Sequence, residues 1–155
     1  PSPGGAPAPA GADANSAAAS KMSPDELDAQ ESAFRAAYSD YTRGSYESAL
    51  MGFQEFLKSY PDSPLAEGAQ YYAGDCLFSQ QKYQEASDAF TKVIENYPES
   101  DKAPSAHLKK GLALLALKQT ARGVIQLQHV IETYPRSEEA RLARERLRQL
   151  GLSVH

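Results

Sequence analysis

Three histidines, one cysteine and twenty carboxylates are the first candidates for catalysis or metal binding in this 155-residue chain. His107, His129 and His155 show no His-x-x-x-His spacing and no nearby Cys, so a zinc site has little support. His107 is expected to pack on the first helix of its unit, and His155 lies at a terminus. Cys76 sits near Gly74 in a helical stretch and reads as a small buried hydrophobe. A thiolate nucleophile would need a His and an orienting partner in reach. A single cysteine forms no internal disulfide and leaves the redox compartment open. The acid pairs Asp25/Glu26 and Glu138/Glu139 fall in first helical turns, where the helix dipole accounts for them. The glycines are scattered at helix contacts and turns and make no phosphate loop. These residues predict no enzyme, no cofactor and no metal. They point to a binding surface.

Composition narrows the class of that surface. Hydrophobic residues are 41% and charged residues 23%, enough for a folded domain, and no apolar run approaches a membrane span. A pI near 5.4 and a net charge of −4 argue against a nucleic-acid binder. The opening Pro-Ser-Pro-Gly-Gly lacks the basic and apolar regions of a signal peptide. A mature product or an excised fragment is therefore expected. The charge is uneven: residues 23–101 hold 5 basic and 15 acidic side chains, whereas residues 102–155 hold 10 basic and 4 acidic. An elongated fold would have one acidic and one basic end. Head-to-tail self-assembly into a scaffold is one reading of that asymmetry, and two solvated faces are the other.

The elements follow from composition and period. Eighteen of the first 20 residues are Pro, Gly, Ala or Ser, so residues 1–22 are expected to be a disordered linker. Ser23-Pro24-Asp25-Glu26 then reads as a capping box with Pro at the first helical position. Tyr60-Pro61-Asp62-Ser63 recurs as Tyr97-Pro98-Glu99-Ser100 and Tyr134-Pro135-Arg136-Ser137, a period of 37. The same offset relates Tyr46, Tyr83 and Thr120, and also Phe53, Phe90 and Leu127. Such a period signals a solenoid whose units are too thin to bury a core alone. Apolar steps of three and four make each unit a pair of helices. First helices are expected from Pro24, Pro64 and Asp101, and second helices from Ser45, Lys82 and Thr120. Ala37, Gly74 and Gly111 are expected to face Ala49, Ala86 and Gly123, so that backbones approach closely. Each Tyr-Pro ends a second helix, and the following Ser caps the next. Ser137 starts a last helix with Ala140, Ala143, Leu147 and Leu150 inward, a polar cap for the array. The domain is thus expected over 23–150, followed by a tail at 151–155. Its repeats are placed near 30–63, 67–100 and 104–137, and the capping helix at 137–149.

Those positions resemble the tetratricopeptide repeat. Gly74, Tyr83, Ala86, Phe90 and Pro98 match its pattern completely, Ala37, Tyr46, Ala49, Phe53 and Pro61 nearly so, and the third unit is degenerate. The resemblance implies an all-α, right-handed superhelical solenoid of three helix pairs plus a capping helix. The Tyr-Pro-x-Ser repeats, Lys102-Ala103-Pro104 and the closing Arg-Leu-Arg-Gln-Leu are similar to the C-terminal domain of the YbgF/CpoB family. That likeness implies a periplasmic protein of the Gram-negative Tol-Pal system. It would bind TolA and link outer-membrane constriction to peptidoglycan synthesis in cell division. A trimerising coiled coil lies upstream in that family. The outer-membrane assembly lipoproteins of the BamD type carry similar repeats and are the alternative.

In such an array the first helices line the concave side. Phe34, Tyr38 and Tyr41, then Tyr71, Asp75 and Phe78, then Leu108, Leu112 and Leu115 are expected there. Chaperone-binding relatives place Lys and Asn in these rows to hold a peptide carboxylate. Here the matching places are Phe34, Tyr71, Leu108, Tyr38, Asp75 and Leu112, and no such clamp forms. The partner-binding set is accordingly Phe34, Tyr38, Tyr41, Tyr71, Asp75, Phe78 and Leu108, a groove for an extended peptide or amphipathic helix. Asp75 would offer it a charge-assisted hydrogen bond. Leu112 and Leu115 are expected in the core, and Arg35 and Lys109 on a solvated rim. The partner is a protein, with no nucleic acid and no membrane insertion.

Overall fold

The computed structural model describes residues 22–154. The expected linker therefore lies outside the described residues except for Met22, as does His155 at the other end. Among the described residues there are seven helices and no strand. They are α1 (Pro24–Thr42), α2 (Tyr46–Ser59), α3 (Ala66–Ser79), α4 (Tyr83–Asn96), α5 (Ala103–Ala116), α6 (Thr120–Thr133) and α7 (Glu138–Gln149). Each packs on the next in chain order, and first helices also touch one another: α1 meets α3, α3 meets α5 and α5 meets α7. The result is a solenoid of three helix pairs closed by α7.

The boundaries have local causes. At the start of α1, Ser23 Oγ accepts from Glu26 N at 3.2 Å while Ser23 N donates to Glu26 Oε2 at 2.9 Å, the expected capping box. Helices α3 and α5 begin two residues later than expected. Ser63 and Ser100 do not cap them: each hydroxyl accepts from the amide two residues on, at Leu65 (3.1 Å) and Lys102 (3.0 Å). That hydrogen bond builds a turn before the helix, whereas Ser137 caps α7 directly through Ala140 N at 3.0 Å.

The turn inside each pair requires a left-handed residue at one fixed place. Gly44 holds it in the first pair (φ +79°), but Gln81 (φ 63°) and Lys118 (φ 64°) hold it in the other two. A Cβ there costs of order 1 kcal/mol. Gln81→Gly and Lys118→Gly are each expected to raise stability by about 0.5 kcal/mol, once the added freedom of the unfolded chain is subtracted. Urea denaturation midpoints test this; a lowered midpoint for both would contradict it.

The core runs along the seam between helices. Phe53, Phe90 and Leu127, one per pair, are wholly buried. Small residues admit them. A Cβ on Gly74 would lie 2.8 Å from the Phe90 ring, so Gly74 makes room for that ring. Ala37 is met by Gly52, where an added Cβ would sit 2.8 Å from that of Ala37. The expected backbone approach is found between Gly111 and Gly123: a Cβ on Gly123 would fall 3.0 Å from the Gly111 carbonyl. On α7, Ala140, Ala143 and Leu147 are buried, but Leu150 follows the helix end and is exposed. The outer face of α7 carries Arg141, paired with Glu138 and Glu145.

Candidate peptide-binding groove

The first helices meet with an offset that determines which side chains share a surface. Tyr41 Oη donates to Asp75 Oδ2, and Lys109 Nζ donates to Asp75 Oδ1 at 2.6 Å. Each step is 34 residues, one helical turn less than the 37-residue repeat. Ser105 Oγ donates to Glu139 Oε1 at the same spacing. The Phe34 ring likewise lies 3.3 Å from where a Gly68 Cβ would be, and the Lys102 stem 3.9 Å from it. Neighbours across the inner surface are therefore 34 apart, not 37.

This offset reassigns the sequence-predicted row. Tyr71 and Leu108 are 8% and 5% exposed and pack in the core, and neither lines the cavity around Tyr38. Leu115 is buried as expected, and Leu112 is half-buried beside Leu108 and Leu142 in a cavity at the far end. Phe78 is half-buried against Tyr83, with ring centroids 5.4 Å apart, away from the other aromatics. Asp75 is buried and already engaged by Tyr41 and Lys109, so it is not the open acceptor expected for a partner. Lys109 is not a solvated rim residue: it pairs with Asp75 and lies 5.2 Å over the Tyr71 ring. Burial alone would lower its pKa, but Tyr71 and Asp75 outweigh that and hold it above the usual lysine value.

Phe34, Tyr38 and Tyr41 do share a surface, and the side chain they meet is Tyr72, which the 37-residue stacking passed over. Ring centroids lie 5.1 Å apart for Tyr38–Tyr72, 6.3 Å for Phe34–Tyr72 and 6.2 Å for Phe34–Tyr38. With Pro64, Leu65 and Gly68 they bound an open cavity of about 320 Å³, walled by Glu67 and Lys102. Tyr38 is the exposed ring at 38%. The Tyr41 and Tyr72 hydroxyls are raised above the ordinary tyrosine range, chiefly by burial, so both stay protonated at neutral pH. Phe34, Tyr38 and Tyr72 thus form an aromatic concavity whose wall also carries Glu67 and Lys102, suited to a large anchoring side chain of a partner.

Family comparison agrees with this architecture. A family model described as tetratricopeptide repeat matches residues 34–101, and a second with the same description matches residues 105–137. The chain belongs to the tetratricopeptide repeat family. Among solved structures, the TPR domain of Arabidopsis OM64 is similar at 19% identity and TM-score 0.65, covering 79% of this chain and 96% of that one. The first TPR domain of human RPAP3 is similar at 16% identity and TM-score 0.64, covering 79% of this chain and 89% of that one. At these identities the likeness concerns the fold. No curated protein matches the chain. The tetratricopeptide array is a module for protein–protein interaction. Among the described residues, no three His, Cys, Asp or Glu side chains converge as a metal site. The Cys76 thiol is pushed up to about 12 by burial and then by Asp75, which leaves it unreactive at neutral pH.

On the third pair of this tetratricopeptide array, the His107 and His129 rings lie tilted at 43° to one another with centroids 4.4 Å apart, and His107 Nδ1 lies 3.0 Å from Gln126 Oε1. Burial lowers the His107 pKa, the Gln126 hydrogen bond partly offsets this, and His129 and Lys110 add to the lowering. A folded value below the unfolded one means this stability is complete above the unfolded pKa near 6.5. It is lost as pH falls from there through the folded value. The melting temperature is expected to fall between pH 7 and pH 5, and His107→Gln to flatten that fall. An unchanged pH profile in the variant would contradict the assignment.

Proposed function

We propose that this domain docks a polypeptide of the Gram-negative envelope in its aromatic groove, as the resemblance to the YbgF/CpoB family implies. In that reading the chain is periplasmic, its partner is TolA or a TolA-like protein, and the docking couples outer-membrane constriction to peptidoglycan synthesis during division. Oligomerisation would come through a coiled coil upstream. The observation that carries the docking reading is the cluster of Phe34, Tyr38 and Tyr72 around an open cavity, with Tyr38 exposed at its rim. Soluble domains rarely leave several large aromatic rings together at an opening unless a partner covers them. The Tol-Pal assignment is supported by the thrice-repeated Tyr-Pro-x-Ser at the 37-residue period.

Calorimetric titration with purified TolA tests both parts. Tyr38→Ala removes an exposed ring, so its melting temperature is expected to stay near wild type. Its affinity is expected to fall about tenfold or more. Equal affinity in wild type and variant would overturn the groove. Absence of binding to TolA would overturn the Tol-Pal reading.

A further inference from the structure

The groove contains a carboxylate oriented by the protein that makes no ion pair among the described residues. Ser100 Oγ donates to Glu67 Oε1 at 2.5 Å, and the same Ser100 oxygen accepts from Lys102 N at 3.0 Å. Glu67 is thereby fixed in the cavity wall beside Phe34, Tyr38 and Tyr72. The nearby ammonium groups pair elsewhere, Lys102 with Asp101 at 3.8 Å and Lys109 with Asp75 at 2.6 Å. Lys102 nevertheless holds its Nζ 5.8 Å over the Tyr72 ring. The aromatic faces of this groove thus already receive one cation, supplied by the chain itself.

Three rings and a fixed carboxylate around an opening make a site for a positive charge, since ring faces attract cations and a carboxylate pairs with them. The surrounding half of the chain agrees, with 5 basic against 15 acidic side chains over residues 23–101. We infer that the groove selects a basic partner segment, seating an Arg or Lys side chain among Phe34, Tyr38 and Tyr72, against Glu67, with displacement of Lys102. The inference rests on the reading of the groove as a docking surface and adds the charge of the ligand. It is opposite in sign to a site built for a peptide carboxylate. Lys102 then acts as an internal competitor, so its removal should tighten binding.

Three amphipathic peptides, equal in length and leucine content but carrying Arg, Gln or Glu at the polar positions, separate the possibilities when titrated into the full chain. The Arg peptide is expected to bind about tenfold tighter than its Gln twin, with an advantage that shrinks as salt rises. Glu67→Gln keeps an acceptor for Ser100 and is expected to erase that advantage while leaving the Gln peptide unchanged. Lys102→Met keeps the stem and is expected to improve the Arg peptide about threefold, in line with a modest exposed-cation contact. If Arg and Gln peptides bind equally while Tyr38→Ala weakens both, the cation inference fails and the groove stands. If the Glu peptide binds best, the sign of the inference is wrong. If no peptide binds, the inference falls, and the titration with TolA then decides whether the groove falls with it.

Discussion

Asp75→Ala is expected to destabilise the domain by about 3 kcal/mol, because it leaves a half-buried ammonium without its anion. Asp75 receives hydrogen bonds from Tyr41 on α1 and Lys109 on α5 and so links three successive first helices. Its loss strands both donors away from full solvent. Asp75→Asn should cost less, since the amide oxygen still accepts from one of them. Adding Lys109→Met to Asp75→Ala should recover part of the loss, because an unpaired charge is then absent. Chemical denaturation of these variants and of Lys109→Met alone measures this. Additive single effects, or a loss below about 0.5 kcal/mol for Asp75→Ala, would show that the link contributes little.

Phe90→Ala is expected to cost about 4 kcal/mol, the largest single effect in the fold. Phe90 has no exposed surface and its ring occupies the space that Gly74 leaves on α3. For a domain of this size that loss lowers the melting temperature by on the order of 15 °C. The coupling to Gly74 gives a sharper test. Gly74→Ala alone places a Cβ 2.8 Å from the ring and should destabilise, whereas in the Phe90→Ala background the same methyl enters a cavity and should stabilise. A methyl at position 74 that destabilises in both backgrounds would place the close contact elsewhere.

Much of this architecture was legible because it depends on local chemistry. The 37-residue period gave the number of helix pairs, Tyr-Pro marked the end of each second helix, and Ser23 with Glu26 marked the start of the first. The inner surface was legible in kind and wrong in register. Stacking residues 37 apart placed Tyr71 and Leu108 beside Phe34, but a side chain meets the residue 34 positions on, one turn earlier in the next helix. Tyr71 and Tyr72 are adjacent in sequence, and this offset sends the first into the core and the second into the groove. The same offset brings Lys109 onto Asp75, a contact that residues 37 apart do not indicate. A repeat period says which residues are equivalent, not which residues touch. Gly68 and Glu67 had no signal of their own in the sequence, since a glycine and a glutamate in a helix are ordinary until the opposing ring and serine are in place.

The direct measurement of the central claim is an amide chemical-shift map of the labelled chain as TolA, the proposed partner, is added. The account predicts that the largest perturbations fall on residues 34, 38, 65, 68 and 72, which line the groove. Perturbations centred instead on the exposed Met51 and Ile125 of the second helices, with the groove amides unmoved, would contradict it.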